Sequence, residues 1–345
     1  MTGSIAPEST TMFREAAEAW EVVGRQRLEN AAIIADLAER LRSNRPRAVV
    51  TLARGSSDHA ATFARYLIET RAGVLTSSAS PSVGSIYDAT PDLVGTMVLA
   101  ISQSGRSPDL LDSASRAKES GGLLVAMVND ETSPLAATAD IVIPLRAGPE
   151  LSVAATKSFI ATLAAILDLL AAWSGDGSID TASALPDELA QAWRLDWTAA
   201  LPELIGAEAM YVIARGHALG IAQEAALKLK ETCGIHAEAF SAAEVRHGPM
   251  AVIGEGVPVL LFGQPDESLA GVAALAAEFA AQGACVLTAG VPGAPGIALP
   301  VIRSDALIAP ILQIASFYRL ANALAIARGR DPDRPPHLAK VTRTL

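Results

Sequence analysis

The chain has 345 residues, half of them hydrophobic, and a formal net charge of −10. This length supports a large core and about two domains. Lysine and arginine form no runs, so we expect neither nucleic acid nor a membrane as a partner. The polar start predicts no signal peptide, which favours a cytoplasmic protein. Cys233 and Cys285 lie in apolar surroundings and are expected to be buried, reduced thiols rather than a disulfide.

The spacing of apolar residues predicts helices and strands that alternate along the chain. In the first half we expect one or two helices over 12–42, further helices over 58–71, 83–87, 108–120 and 155–173, and strands at 48–53, 74–77, 97–101, 123–128 and 141–145. The longest apolar helix is too short to span a bilayer. A helix over 187–204 reopens the pattern. This alternation is typical of an α/β protein with a parallel sheet covered on both faces.

The sequence repeats itself at a constant offset. Val49–Gly55 matches Met210–Gly216, and at the same offset Ile101–Gln103 falls on Phe262–Gln264. Two copies of one α/β sandwich are therefore predicted. The predicted organisation is an N-terminal helical segment (1–45), a first domain (46–174), a linker (175–186), a second domain (187–328) and a C-terminal tail (329–345).

A hydroxyl-rich loop, Ser102–Ser107, follows the buried strand of the first copy at 97–101. Ser107 stands before Pro108, and serine as N-cap with proline at the first helical position predicts a helix start. Free backbone N–H groups, the positive end of the helix dipole and hydroxyl donors suit a phosphate. The spacing alone leaves a phosphate site and an ordinary strand-to-helix turn equally open.

Ile101–Gly105, followed by Ser107, resembles the phosphosugar-binding loop of the sugar isomerase (SIS) family. The resemblance implies two tandem SIS domains, each a parallel sheet flanked by helices. The second copy has the carboxylates of Asp266 and Glu267 in this loop, so we expect the phosphate in the first copy only. The phosphate ligands implied by the resemblance are Ser57, Ser102, Gln103, Ser104 and Ser107, and the implied substrate-lining residues are Gly55, Ser56, Gly105, Val153, Ala154 and Ala339.

The segments Ala226–Phe240 and Ala243–Pro249 resemble the catalytic stretch of glucosamine-6-phosphate synthases, which belong to this family. The resemblance implies that Glu231 moves a proton between C1 and C2 of the sugar. It also implies that His247 opens the sugar ring across a homodimer, from the partner subunit. Lys228, a further candidate catalytic residue, lies three residues before Glu231 on one helix face, so the two can form an ion pair. Carboxylates at such helix ends are often desolvated, which favours a general base.

The tail after Gly329 resembles the synthase tail, which implies that Lys340 enters the site and pairs with the substrate's oxyanion or forms an imine. Ala147–Lys157 resembles a further family motif, with Ala155 in place of the family's serine. Arg106 replaces the synthase's glutamate, and the phrase Ser-Gly-Arg-Ser-Pro-Asp is more similar to the stand-alone glucosamine-6-phosphate deaminases.

Three further histidines, His59, His217 and His236, are assigned structural or lining roles. His236 and Glu238 alternate on a predicted strand but lack a third metal ligand at suitable spacing, so no metal site is predicted. His59 and His217 follow the two Arg-Gly turns. We expect no cofactor, because the substrate's own amine supplies the electron sink.

The resemblance leaves several activities open. The synthases need a glutaminase domain that begins with a catalytic cysteine, whereas this chain begins with Met1. We therefore expect a glucosamine-6-phosphate deaminase, which converts glucosamine 6-phosphate and water to fructose 6-phosphate and ammonia. The alternatives are an aldose–ketose phosphosugar isomerase, a fructosamine-phosphate deglycase and a non-catalytic phosphosugar sensor. The preferred hexosamine phosphate and any effectors stay open.

Overall fold

The computed structural model describes residues 6–175, 177 and 184–340. The predicted linker, 175–186, lies mostly outside these residues. The described residues form two compact units. The first unit comprises residues 21–150, 157–175, 177 and 339–340, and the second comprises residues 6–20, 151–156 and 184–338. The domain boundaries given above stay predictions.

Helices and strands alternate through both units. The α-helices of the described residues are α1 (Thr11–Ala17), α2 (Ala19–Ser43), α3 (Ser56–Leu67), α4 (Ser82–Ser85), α5 (Pro108–Glu119), α6 (Pro134–Thr138), α7 (Lys157–Ser174), α8 (Leu185–Ala192), α9 (Leu201–Leu204), α10 (Leu219–Lys228), α11 (Leu269–Ala281) and α12 (Ala309–Ala327). The strands are β1 (Ala48–Leu52), β2 (Thr76–Ser78), β3 (Thr96–Ser102), β4 (Leu123–Val128), β5 (Ile141–Pro144), β6 (Ala209–Ala214), β7 (His236–Ser241), β8 (Pro258–Phe262), β9 (Cys285–Ala289) and β10 (Ile297–Leu299).

The first unit is built on a parallel sheet in the order β2-β1-β3-β4-β5. Every residue of the central strand β3 is buried, as expected for a parallel strand covered on both faces. Leu110, Ala114 and Ala117 of α5 pack on one face against sheet residues such as Val98 and Ala126. The predicted fold class is confirmed for this unit.

The second unit has the same topology, with a parallel sheet in the order β7-β6-β8-β9-β10. Val272, Leu275 and Phe279 of α11 pack on sheet residues including Val259 and Leu261. Helix α10 packs against β6, β7 and α12. The repeated sequence pattern thus corresponds to two copies of one fold.

The helix that follows the first strand ends in the same way in both units. Helix α3 widens into a π-helical turn, Ile68–Ala72, and stops at Gly73 with φ 63°. Helix α10 does the same over Leu229–Cys233 and stops at Gly234 with φ 64°. The two glycines occupy equivalent positions of the repeat, and the left-handed conformation at a helix end favours glycine.

The helical stretch at 12–42 forms two helices, one of the two alternatives expected, and divides at Glu18 into α1 and α2. Two other helices differ from the sequence prediction. The helix expected over 187–204 breaks after α8, because Asp196 accepts the Thr198 amide and starts a new turn. Helix α7 begins at Lys157 rather than 155, where Glu150 accepts hydrogen bonds from the Ser158 amide and hydroxyl.

The cysteines differ from each other. Cys233 is buried, and its burial raises the pKa of the thiol to about 11. The prediction for Cys285 was wrong in part: this residue is only partly buried, and its sulfur lies 3.6 Å from the Glu203 carboxylate. Burial and that carboxylate raise the pKa of Cys285 to about 11. Neither thiol forms a disulfide.

By length and composition alone helix α7 could cross a membrane, with a mean hydropathy of 1.4, so the expectation that the longest apolar helix is too short was wrong. However, 78% of it is buried inside the protein, as in the core helix of a globular domain. It carries Asp168, which pairs with Arg27 of α2 at 3.1 Å.

Candidate active site

The loop between β3 and α5 is tightly closed. The Ser102 hydroxyl accepts the Gly105 amide at 3.0 Å. Gly105 has φ 63°, and a Cβ there would overlap the Ser133 side chain. Ser107 is the N-cap residue of α5, but its hydroxyl makes no capping hydrogen bond. The loop therefore holds its hydroxyl groups next to a helix N-terminus, where the dipole favours an anion.

A second loop reaches the same edge of the first sheet. Strands β1 and β3 are parallel neighbours, with Leu52 paired to Ala100. Gly55 follows β1 with φ 55°, and Ser56 and Ser57 begin α3. The predicted phosphate ligands of the first unit thus follow the carboxyl ends of adjacent strands, where α/β proteins bind ligands.

Two arginines lie on these loops, each paired with a carboxylate. Arg54 donates to one oxygen of Asp109 at 3.0 and 3.1 Å. Arg106, which replaces the synthase's glutamate, donates to Asp130 at 2.7 Å. Hydrogen bonds from Thr132 and then from Arg106 lower the pKa of Asp130.

The corresponding loop of the second unit is occupied by its own side chains. The buried Gln264 accepts the Ala218 amide at 3.1 Å and donates to Asp266 at 2.5 Å. The pKa of Asp266 is lowered, since hydrogen bonds from Ser268 and Gln264 outweigh burial. An ionised carboxylate at this point supports the expectation that the phosphate binds only in the first unit.

The tail lysine is held by a buried carboxylate within the first unit. The Nζ atom of Lys340 lies 3.2 Å from Glu150, which is fully buried, while the lysine side chain is 24% exposed. Glu150 also accepts from Ser158 at the start of α7. Ala339 is exposed. The predicted site lysine is therefore anchored to the motif that resembles the family's sugar-contacting segment.

The second unit contains a buried lysine between two glutamates. The ammonium group of Lys228 lies 2.6 Å from Glu231 and 3.3 Å from Glu224. Lys228 and Glu224 are buried, whereas the Glu231 side chain is 18% exposed. The predicted ion pair of Lys228 with Glu231 is present, but the desolvation of Glu231 is only partial. The ammonium group orients this carboxylate, and a general base must be positioned next to the proton that it removes.

On the buried side of this cluster, Glu224 balances the positive charge of Lys228. The Tyr318 hydroxyl of α12 donates to Glu224 at 3.1 Å. Burial alone would lower the pKa of Lys228, but Glu224 and Glu231 outweigh it and raise that pKa above its ordinary value. Lys228 is therefore a fixed cation at neutral pH rather than a proton acceptor.

This cluster has no counterpart in the first unit. In the alignment that matches Gly55 with Gly216, the residues Glu224, Lys228 and Glu231 correspond to Phe63, Leu67 and Thr70. In the same alignment, Ser102 and Ser104 of the phosphate loop correspond to Gly263 and Pro265 in the second unit, whereas Ser107 corresponds to Ser268. The two copies therefore carry different chemistry on the same backbone.

His247 ends a short turn, Glu244–His247, and is exposed. Gly248 follows it with φ 132°, a conformation that other residues rarely adopt. Within the described residues no hydrogen bond or ion pair joins His247 to Glu231. The structure thus presents His247 at the surface of the second unit, and its role stays a prediction.

The other predicted residues fall outside these clusters. Val153 and Ala154 belong to the second unit, and Ala154 is fully buried. His217 is nearly buried and contacts the Ala306 carbonyl at 2.9 Å. The exposed side chains of His236 and Glu238 lie 3.8 Å apart on β7. Among the described residues, no group of three or more histidine, cysteine or acidic side chains could hold a metal ion.

Glu224 and Tyr318 were missed by sequence reasoning. Glu224 could have been found, because it lies four residues before Lys228 and therefore on the same helix face. Tyr318 could not, because it comes from α12, 94 residues along the chain. Arg54 and Asp109 were missed for the same reason.

Comparison with known proteins identifies the family. The SIS domain matches residues 43–172 and 203–289, and the chain belongs to this family. Both copies of the fold are matched, so the chain contains two tandem SIS domains.

Curated relatives include glutamine–fructose-6-phosphate aminotransferases (isomerising). The protein of Symbiobacterium thermophilum is 37% identical over 320 residues, which cover 85% of this chain and 51% of the relative. That of Aeropyrum pernix is 35% identical, covering 83% of this chain and 49% of the relative. The chain thus spans about half the length of the curated relatives it matches.

Solved structures share the fold over nearly the whole chain. A candidate phosphosugar isomerase from Silicibacter pomeroyi is 42% identical with a TM-score of 0.90, covering 94% of this chain and 100% of that one. The C-terminal domain of the Francisella tularensis glucosamine-fructose-6-phosphate aminotransferase is 27% identical with a TM-score of 0.85, covering 95% and 98%. A glucosamine-6-phosphate deaminase from Thermotoga maritima, at 22% identity, has a TM-score of 0.73 over 95% and 100%, and is similar in fold alone.

Proposed function

We propose that this protein is a phosphosugar-isomerising enzyme and, more specifically, a glucosamine-6-phosphate deaminase. The observation that carries the proposal is the partly exposed Glu231 carboxylate, oriented by the buried ammonium group of Lys228 at 2.6 Å. A carboxylate that is held in place and open on one side suits proton transfer between two adjacent carbons.

The proposed reaction uses three side chains, His247, Glu231 and Lys340, together with the serine loop. His247 opens the pyranose. Glu231 then removes the C2 proton to give an enolamine and returns it at C1, which leaves an imine at C2. Water adds to the imine, and the C–N bond breaks to give fructose 6-phosphate and ammonia. Lys340 stabilises the developing oxyanion, and the serine loop binds the phosphate.

The motif around Arg106, Ser-Gly-Arg-Ser-Pro-Asp, resembles that of the stand-alone deaminases, and this resemblance favours a deaminase over the alternatives. An aldose–ketose isomerase would use the same proton transfer on glucose 6-phosphate, and a deglycase would act on fructosamine phosphates. The proposal includes a homodimer in which His247 serves the neighbouring subunit. The exposure of His247 on a turn supports this part of the proposal.

The test is ammonia release from glucosamine 6-phosphate by wild type, Glu231→Gln and the control Glu238→Gln, an exposed carboxylate on β7. Loss of the base should lower kcat by ~10²–10⁴-fold with little change in KM, and the control should retain activity. Glucose 6-phosphate and fructosamine 6-phosphate are assayed in parallel. Turnover of either without ammonia release from glucosamine 6-phosphate would refute the deaminase and support that alternative. Near-normal turnover by Glu231→Gln would remove Glu231 as the base.

A further inference from the structure

We propose that Arg54, oriented by Asp109, is a ligand of the substrate's phosphate group. Neither residue belongs to the set that the family resemblance assigned. The inference rests on the proposed function in one respect only, since it concerns the same phosphate loop of the first unit.

The strand register places Arg54 beside this loop. Leu52 of β1 is paired with Ala100 of β3. Arg54 follows the end of β1, two residues after Leu52, and Ser102, the first hydroxyl of the loop, lies two residues after Ala100 at the end of β3. Ser57, a predicted phosphate ligand, lies three residues after Arg54.

The ion pair with Asp109 holds the guanidinium group of Arg54 in position. Its Nε and Nη2 atoms both donate to one oxygen of Asp109, at 3.1 and 3.0 Å. Asp109 lies in the first turn of α5, and Arg54 follows β1. The guanidinium group therefore reaches from the end of one strand to the helix that begins where Ser102–Ser107 ends.

The guanidinium group retains unused donors. It has five N–H groups, of which Asp109 accepts two. No other acceptor in the described part of the chain takes the remaining three, and the Arg54 side chain is 55% exposed. Outward-facing N–H groups in a rigid fork match the oxygens of a phosphate, and arginine is the residue type best suited to this geometry.

The buried carboxylate of Asp109 is unfavourable for the stability of the fold. Its side chain is 3% exposed, and its second oxygen has no hydrogen-bond partner. Burying a carboxylate with one oxygen unpaired is costly. The arrangement is explained if the carboxylate positions Arg54. A chain with a net charge of −10 also needs a local cation where an anionic substrate binds.

The experiment measures binding of fructose 6-phosphate and of inorganic phosphate by titration calorimetry at fixed ionic strength. The matched control is Arg47→Ala, because Arg47 precedes the opposite end of β1 and also pairs with a carboxylate, Asp92, at 3.4 Å. Arg54→Ala should weaken binding of both probes at least about tenfold, since hydrogen bonds between charged groups are the strong ones. Arg54→Lys should recover part of the loss, and Arg47→Ala should change binding less than about twofold.

Equal binding by Arg54→Ala and Arg47→Ala would overturn the proposal. If Arg54→Ala does not fold, Arg54→Gln provides the same comparison, because it retains a donor for Asp109 without the charge. The readout does not depend on turnover. Phosphate binding that requires Arg54 in an enzyme that releases no ammonia would sink the deaminase assignment alone, whereas ammonia release with unchanged phosphate binding in Arg54→Ala would sink this inference alone.

Discussion

Replacing Lys228 by methionine should destabilise the second unit strongly. The substitution keeps the length of the side chain but removes the ammonium group that lies 2.6 Å from Glu231 and 3.3 Å from Glu224. Glu224 has no solvent exposure, so its carboxylate would be left buried without the ammonium group, while the Tyr318 hydroxyl would still donate to it. Leaving a buried charge without its partner costs ~3–5 kcal/mol.

The assay is urea unfolding followed by tryptophan fluorescence, since Trp193 and Trp197 both belong to the second unit. The control is Lys230→Met, two residues further along and exposed, which should change the free energy of unfolding by no more than ~0.5 kcal/mol. Adding Glu224→Gln to Lys228→Met should recover part of the lost stability, because a neutral amide then replaces the buried carboxylate. A Lys228→Met protein as stable as the Lys230→Met control would refute the buried-charge argument.

The same cluster predicts a dependence on pH. Because the folded-state pKa of Lys228 is raised above 10.5, the folded protein binds its proton more tightly than the unfolded chain does. The stabilisation is therefore fully present below pH 10.5 and is lost as the pH rises through the folded-state pKa. The difference in unfolding free energy between wild type and Lys228→Met should stay constant from about pH 6 to 9 and shrink only in strong alkali.

Further predictions concern the first unit and the assembly. Gly105→Ala should cost ~2–4 kcal/mol by urea unfolding and weaken phosphate binding, because φ is positive and the new Cβ overlaps Ser133; an unchanged midpoint would contradict this. Burial raises the pKa of Asp168 from 3.8 to about 6. At pH values between these two, the folded protein binds one proton more than the unfolded chain, so the free energy of unfolding should fall by up to ~3 kcal/mol as the pH rises through this range. Asp168→Asn should abolish that slope. Hybrid dimers of Glu231→Gln and His247→Ala subunits should regain ammonia release at one site; silence of verified hybrids would place both residues in one chain's site.

Much of this molecule follows from local sequence pattern. The alternation of strands and helices, the repeat that matches Gly55 with Gly216 and the helix start at Ser107-Pro108 depend on neighbouring residues, and the structure confirms each. The pair of Lys228 and Glu231 was also predictable, because helical spacing alone brings residues three apart together. The replacement of Ser102 and Ser104 by Gly263 and Pro265 in the second unit was visible from the repeat itself.

What the sequence could not decide is which distant groups meet and which are buried. Tyr318 reaches Glu224 from 94 residues away, and Arg54 reaches Asp109 across 55 residues. The sequence has two nearby lysines, Lys228 and Lys230, with nothing to distinguish them. The packing of α12 against α10 buries Lys228, whereas Lys230 stays exposed. Burial and long-range pairing depend on how whole elements pack, and they set the charge states that local spacing leaves undetermined.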